Sequence, residues 1–203
     1  YGAKTIATPH IDELAANGIR FTNAYAPAST SSPSRYALLT GEYAFRKRVG
    51  ILPADAPLTI DPQSNNLPLQ LKSSGYTTGI VGKWHLGLGN RNETVDFNKK
   101  ITAGMRSVGF DYSYIFPATN DRVPTIFLEN DQVVNGDPND PIKVSYRKKI
   151  GNEPTGKENP DLLTLKYYQG HDGTIINGIS RIGWMSGGHK ARWNDQEMGE
   201  VLS

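Results

Sequence analysis

The sequence contains no cysteine among its 203 residues, so it can form neither a disulfide nor a thiolate-bound metal site. It also lacks any hydrophobic run that approaches the length of a transmembrane helix. Neither sign of charge dominates, because 22 lysines and arginines stand against 20 aspartates and glutamates. The formal net charge of +2 gives no electrostatic reason to expect nucleic acid. The sequence therefore predicts neither a nucleic acid nor a membrane as partner.

The composition is typical of one globular domain with many loops. Hydrophobic residues make up 37% of the chain and charged residues 21%, and there are 21 glycines and 13 prolines. A chain of this length can bury a sizeable core. We predict an α/β core over residues 1–89 and a loop- and hairpin-rich continuation over residues 90–203.

The first half alternates predicted helices and strands. Residues 8–18 fit a helix that begins after Thr8 and ends at a glycine, and residues 19–25 alternate as a strand. Residues 66–74 predict a short helix and residues 76–81 a strand. A helix joined to a strand by a tight turn is half of a parallel unit, so we predict a mixed or parallel sheet flanked by helices.

A hydroxyl side chain lies where a helix can bind an anion. Ser32 is suited to cap a helix whose first residue is Pro33. Ser31 then lies at the helix N-terminus, where free N–H groups and the helix dipole favour sulfate or phosphate. Arg35, one turn into the helix, adds a permanent charge with a geometry suited to oxyanions. Taken alone, the same residues also fit an ordinary capped surface helix.

Lys83 and His85 follow directly after the predicted strand 76–81. Open α/β sheets bind their ligands outside the carboxyl ends of the strands. We therefore expect both side chains to reach into a site, although a single lysine or histidine is often only solvated or structural.

The second half predicts further β-structure. Residues 110–116 and 142–146 fit strands, and residues 129–131 fit the turn of a hairpin. Residues 137–141 contain aspartates and prolines that fit a turn rather than a calcium loop.

Four basic side chains near the end of the chain are candidate site residues. Arg181, His189 and Lys190 are predicted to contact an anionic substrate. His171 and Asp172 are adjacent, and neighbouring residues of a strand point to opposite faces. We therefore predict structural roles for this pair.

Three blocks of the sequence resemble the type I, formylglycine-dependent sulfatases of the alkaline-phosphatase-like superfamily, in the serine-type bacterial form. The maturation motif of that family is matched at Ser31, Pro33, Ser34, Arg35, Leu39, Thr40 and Gly41. A second block covers residues 82–87, and residues 8–15 with 18–25 resemble the first helix and strand of the family. The resemblance covers nearly the whole chain and is specific through about Gly87.

The resemblance implies a catalytic role for the cluster around Ser31. A serine-type maturation enzyme would convert Ser31 to formylglycine, and its hydrate would bind calcium and attack the sulfur of a sulfate monoester. Arg35 and Lys83 would neutralise negative charge and His85 would take or relay a proton. The implied substrates are sulfated carbohydrates or aryl sulfates, and Arg181, His189 and Lys190 would then contact the sulfated sugar. The implied location is periplasmic or secreted.

Two other functions stay open on the sequence. The same helix N-terminus would serve a phosphate or phosphonate ester hydrolase or transferase that uses unmodified Ser31, and the chain could be a non-catalytic glycan-binding remnant. We also expect the chain to be an internal fragment from the N-terminal half of a sulfatase. The remaining part of that chain would supply the other calcium ligands, so we expect residues 1–203 to be inactive in isolation.

Overall fold

The computed structural model describes residues 2–165 and 170–203. Its α-helices and strands, in chain order, are α1 Pro9–Asn17, α2 Ser31–Thr40, α3 Leu67–Ser73, β1 Gly79–Lys83, β2 Tyr112–Phe116, β3 Leu128–Glu129, β4 Gln132–Val133, β5 Lys143–Ser145, β6 Ile175–Ile176, β7 Ile179–Ser180, β8 Trp184–Ser186 and α4 Met198–Val201. Single 3₁₀ turns lie at Ala44–Lys47, Arg106–Val108 and Pro160–Leu162. None of the helices in this part of the chain is long and apolar enough to cross a lipid bilayer.

The largest sheet is mixed and has the order β1-β2-β3-β4. Strands β1 and β2 are parallel over their full lengths, and β3 and β4 add antiparallel neighbours. The β3–β4 hairpin turns at Asn130 and Asp131, where Asn130 takes the left-handed conformation at φ 56° that asparagine tolerates. The fold is therefore α/β with a mixed sheet flanked by helices, as the sequence predicts.

Two small antiparallel sheets lie in the second half, one formed by β5 and β8 and one by β6 and β7. Strand β5 confirms the prediction for residues 142–146. The turn at residues 137–141 is confirmed by a hydrogen bond of 3.0 Å from the Asp140 amide to the Asp137 carbonyl. The division of the chain at residue 89 stays a prediction, since one core cluster contains side chains from both parts.

Two predictions about the first 40 residues are wrong. Residues 19–25 form no strand, because no strand of the described chain pairs with them. Helix α2 begins at Ser31 with Thr30 as the extended N-cap residue, so neither Ser32 nor Pro33 has its predicted position. Pro33 is still tolerated, because the N–H groups of the first helical turn have no partner within the helix.

Candidate active site

The segment that follows β1 carries both core and site residues. The Trp84 and His85 amides donate to the Phe116 and Pro117 carbonyls, each at 3.0 Å, and so continue the parallel pairing beyond the strand. Trp84 lies in the core with 1% of its surface exposed, and Leu86 and Leu88 lie there fully buried. His85 turns toward α2 with a φ of 57°, which is unusual for a residue other than glycine and is common at functional sites.

The structure brings Ser31, Arg35, Lys83 and His85 together. The Ser31 hydroxyl lies 2.9 Å from His85 Nδ1, and Arg35 Nε donates to the same oxygen at 3.3 Å. Arg35 Nη1 donates to the Lys83 carbonyl at 2.8 Å and so joins α2 to the end of β1. The positions that the sequence predicted as catalytic therefore form one cluster where the first turn of α2 meets the carboxyl end of a parallel strand.

The contacts of His85 determine which of its nitrogens carries the proton. Nε2 lies 2.8 Å from the Leu52 carbonyl, which can only accept a hydrogen bond, so Nε2 is protonated. Burial, followed by the positive charges of Lys83, Arg122 and Arg35, lowers the pKa of His85 to about 4, although the Leu52 carbonyl opposes this shift. At neutral pH the ring is uncharged, and Nδ1 accepts a hydrogen bond from Ser31.

The cluster is positively charged and partly withdrawn from water. Burial lowers the pKa of Arg35, and burial together with the charge of Arg35 lowers the pKa of Lys83, while Asp121 opposes the shift at Lys83. Cations held close together in a low-dielectric place attract an oxyanion strongly. The N-terminus of α2 lies at the same point, and the N–H groups of a first helical turn have no partner within the helix.

Asp121 and Arg122, which follow β2, were not predicted as site residues. Asp121 accepts a hydrogen bond of 2.8 Å from His171 Nε2, and Arg122 Nη1 donates to Thr119 Oγ1 at 2.7 Å. Burial alone would raise the pKa of Asp121, but hydrogen bonds from Thr119 and His171 and the charge of Arg122 lower it overall. Because β2 is parallel to β1, its carboxyl end lies at the same edge of the sheet, and this rule could have identified Asp121 and Arg122 from the sequence.

Arg181 does not have the exposed position that a sugar contact requires. Its side chain is 1% exposed and is bound to the Asp195 carboxylate, with Nη1 donating to Oδ1 at 3.0 Å. Nη2 also donates to the Ile176 carbonyl at 3.0 Å, so Arg181 stabilises the fold from within. The prediction that Arg181 contacts substrate is corrected for this reason.

His189 and Lys190 are exposed but lie in a different group of charges. His189 Nδ1 is 2.8 Å from Asp140 and its Nε2 is 2.9 Å from Glu153. Lys190 forms an ion pair of 2.7 Å with Asp137. In the two described ranges, no hydrogen bond or ion pair connects either side chain to the cluster around Ser31, and their role toward a sugar stays a prediction.

The described residues do not supply a calcium site by themselves. No group of three or more histidine, aspartate or glutamate side chains in residues 2–165 and 170–203 could hold a metal ion. Ser31 is the one residue of this chain that we predicted as a ligand, and its polar neighbours are Arg35 and His85. Calcium takes about six to eight oxygen ligands, and this set does not fit that requirement.

Comparison with known proteins places the chain in a family. A sequence profile of the Sulfatase family matches residues 1–174. An N-acetylgalactosamine-6-O-sulfatase from Bacteroides thetaiotaomicron is 54% identical over 204 residues, which is 100% of this chain and 40% of that protein. Bovine arylsulfatase A is 45% identical over 97 residues, which is 44% of this chain and 18% of that protein.

A solved structure agrees with these sequence matches. A Bacteroides thetaiotaomicron protein from work on the metabolism of multiple glycosaminoglycans superposes with a TM-score of 0.95 at 53% identity. The match covers 99% of this chain and 42% of that protein, so the chain spans less than half the length of these relatives. The extent of the profile match and the agreement of the folds show that the chain belongs to the Sulfatase family.

Proposed function

We propose that the protein containing this chain hydrolyses sulfate monoesters on sulfated carbohydrates. The observation that carries the proposal is the Ser31 hydroxyl, which is held at 2.9 Å from neutral His85 and at 3.3 Å from the Arg35 guanidinium. A proton acceptor and a positive charge thus both contact the oxygen that would act as the nucleophile. Together they are the parts that transfer of a sulfuryl group requires.

Each side chain of the cluster has a separate task. Arg35 and Lys83 neutralise the negative charge on the sulfate oxygens, since both are cations of the cluster around Ser31. His85 Nδ1 accepts a proton from the oxygen at position 31, because Nε2 is already occupied by its own proton. A formylglycine at position 31 would supply, as its hydrate, a second hydroxyl whose deprotonation expels sulfate and regenerates the aldehyde.

Arg122, Asp121 and His171 are proposed to line the sugar side of the site. The charge of Arg122 acts on both Lys83 and His85, so the group following β2 lies beside the cluster. A carboxylate, an imidazole and a guanidinium together offer acceptors and donors for sugar hydroxyls. The name of the 54% identical relative makes the 6-sulfate of N-acetylgalactosamine the first substrate to test, with aryl sulfates as a second class.

Calcium, a serine-type maturation enzyme and a periplasmic or secreted location complete the proposal. They rest on the family resemblance. The described residues contain no complete cluster of metal ligands, so a calcium site next to Ser31 would need further oxygen ligands.

One observation favours a second candidate function. Unmodified Ser31 already donates a hydrogen bond to a neutral histidine, which is the arrangement of an activated serine nucleophile. A phosphate or phosphonate ester hydrolase would use the same cations and the same helix N-terminus.

The mass of residue 31 and the substrate preference separate these candidates. The intact protein should be produced with and without a serine-type maturation enzyme, and the peptide containing Ser31 weighed in both samples. We expect loss of two hydrogens and release of sulfate from N-acetylgalactosamine 6-sulfate only in the matured sample, and no turnover by Ser31→Ala. Serine of full mass in an active sample, together with release of phosphate from phosphate esters, would establish the second candidate instead.

A further inference from the structure

The backbone of Leu52 is held by two site elements at once, one at its carbonyl and one at its N–H. Its carbonyl accepts the Nε2 proton of His85 at 2.8 Å, and its N–H donates to the hydroxyl of Ser32 at 3.4 Å. Ser32 is fully buried at 0% exposure, and this is the side-chain hydrogen bond that the structure gives it. Adjacent residues of α2 therefore contact His85 and Leu52 in turn. Ser31 contacts His85 Nδ1, and Ser32 accepts from the N–H of the residue whose carbonyl holds His85 Nε2.

The segment that carries Leu52 is fixed firmly further along the chain. The Leu88 amide donates to the Ala56 carbonyl at 2.8 Å, and the Thr59 amide donates to the Leu86 carbonyl at 2.9 Å. These bonds fix residues 56–59 against the segment that follows His85. The end of the segment at Leu52 lies beyond them, and Ser32 is the side chain that ties it to α2.

We infer that Ser32 is a positioning residue that holds the Leu52 carbonyl against His85 and so keeps the Nδ1 lone pair of His85 directed at residue 31. Without the hydroxyl, the Leu52 N–H loses its acceptor, and the Ile51–Leu52 peptide that carries it tends to shift toward another partner, taking Leu52 with it. The Leu52 carbonyl belongs to the next peptide unit, Leu52–Pro53, which shares the Leu52 Cα with the unit that carries the N–H. A shift of Leu52 therefore carries its carbonyl away from Nε2 and removes the contact that selects the tautomer.

The inference rests on the proposed function only for its effect on turnover. The tautomer itself can be observed in protein whose Ser31 is unmodified, so the structural part is tested without catalysis. Ser32→Ala removes the acceptor, and Ser32→Thr keeps it. Ser113→Ala is the matched control, because Ser113 is also buried, at 1% exposure, and its hydroxyl also makes a 3.4 Å contact, to the Asn130 carbonyl of the β3–β4 turn.

The experiment combines imidazole ¹⁵N spectra with steady-state kinetics on the intact protein. The chain has histidines at positions 10, 85, 171 and 189, and the signals of His85 are assigned by their absence in His85→Gln. In wild type and in Ser113→Ala we expect a single tautomer with Nδ1 unprotonated. In Ser32→Ala we expect averaging between tautomers, and kcat about 10-fold lower with KM changed far less, as for other residues that orient a catalytic histidine.

Recovery of the single tautomer and of kcat in Ser32→Thr would assign the effect to the hydroxyl. The inference is overturned if Ser32→Ala keeps the wild-type tautomer, or if Ser113→Ala lowers kcat as much as Ser32→Ala does. Absence of sulfatase activity in matured wild-type protein would count against the proposed function alone, since the ¹⁵N comparison does not depend on turnover.

Discussion

Residues 2–30 and residues 31–89 both contain a helix with an apolar face, but they differ in how much of their surface is buried. No residue between 2 and 30 is buried, whereas the segment from 31 to 89 supplies the buried Trp84, Leu86 and Leu88 to the core. Helix α1 has Pro9 at its first position and a spaced apolar face, as its sequence predicts, yet none of its side chains is buried. Helix α2 buries Ser32 and Tyr36 and contacts its neighbours.

The difference shows what an apolar pattern does and does not specify. Several large apolar side chains before α2 are more than half exposed, namely those of Ile6, Ile11, Leu14, Ile19, Phe21 and Tyr25. A nine-residue helix is marginal in water without tertiary packing. The pattern therefore identifies the face of α1 that favours burial but not the surface against which it packs.

The prediction with the largest expected effect concerns whether residues 1–203 are sufficient for catalysis. We expect residues 1–203 alone to show no sulfatase turnover, because the described part holds the nucleophile and its cations but no set of metal ligands. The measurement is release of sulfate from N-acetylgalactosamine 6-sulfate by the purified fragment, with the intact protein as positive control. Turnover by the fragment that is lost in its Ser31→Ala variant would contradict the prediction.

Most of the packed fold follows from local sequence. The tight turn between α3 and β1 and the hairpin between β3 and β4 lie where glycine, asparagine and alternation place them. The strand expected at residues 19–25 failed because alternation specifies a strand only where a partner strand exists. The sequence predicted that β1 begins at residue 76, but the strand begins at Gly79 because its parallel pairing with β2 begins there. Local alternation contains no information about pairing.

The second prediction compares the core with residues 2–30, here called the exposed arm, by truncating one large apolar side chain in each to alanine. Trp84→Ala should lower the free energy of unfolding by about 3–5 kcal/mol, because the indole is buried and packs edge-on against Phe110. Leu14→Ala should change it by less than about 0.5 kcal/mol, since Leu14 is 74% exposed. Urea unfolding of residues 1–203 measures both. A large loss in Leu14→Ala would show that the arm is packed in solution.

Site residues that lie close together in the sequence were predictable. Site contacts between residues that are distant in the sequence were not. Ser31 and Arg35 lie one helical turn apart, so their proximity follows from the sequence alone. The link between His85 and Leu52 joins positions 33 residues apart through a loop without regular structure, and no pattern of residues encodes it. Arg181 was misassigned because a charged residue in a Gly-rich region looks exposed, and its partner Asp195 is distant in sequence.

The third prediction concerns glycines in the two regions, both of which have positive φ. Gly87→Ala should cost more than about 2 kcal/mol of stability, because a Cβ there would lie 1.9 Å from the Pro57 carbonyl oxygen at a φ of 79°. Gly2→Ala, at a φ of 84° with nothing within 4 Å of its Cβ, carries the strain of a positive φ but no clash, so it should cost less than Gly87→Ala. Thermal melts of the two variants make the comparison. Equal melting temperatures would show that the contact between residues 57 and 87 relaxes without cost.

The prediction with the smallest expected effect is a pH-dependent change in melting temperature that comes from the contacts of Asp111 at the surface. A hydrogen bond from Lys72, followed by one from the Thr78 amide, lowers the pKa of Asp111 from 3.8 to about 2. A carboxyl whose pKa is lower in the folded state stabilises the fold above its unfolded pKa, and this stabilisation is lost as the pH falls toward 2. Asp111→Asn should therefore melt slightly below wild type at pH 6, and the difference should close between pH 4 and pH 2. Glu13→Gln on the exposed α1 is the control, and a gap for Asp111→Asn that persists at pH 2 would mean that packing rather than charge at Asp111 stabilises the junction of α3 and β2.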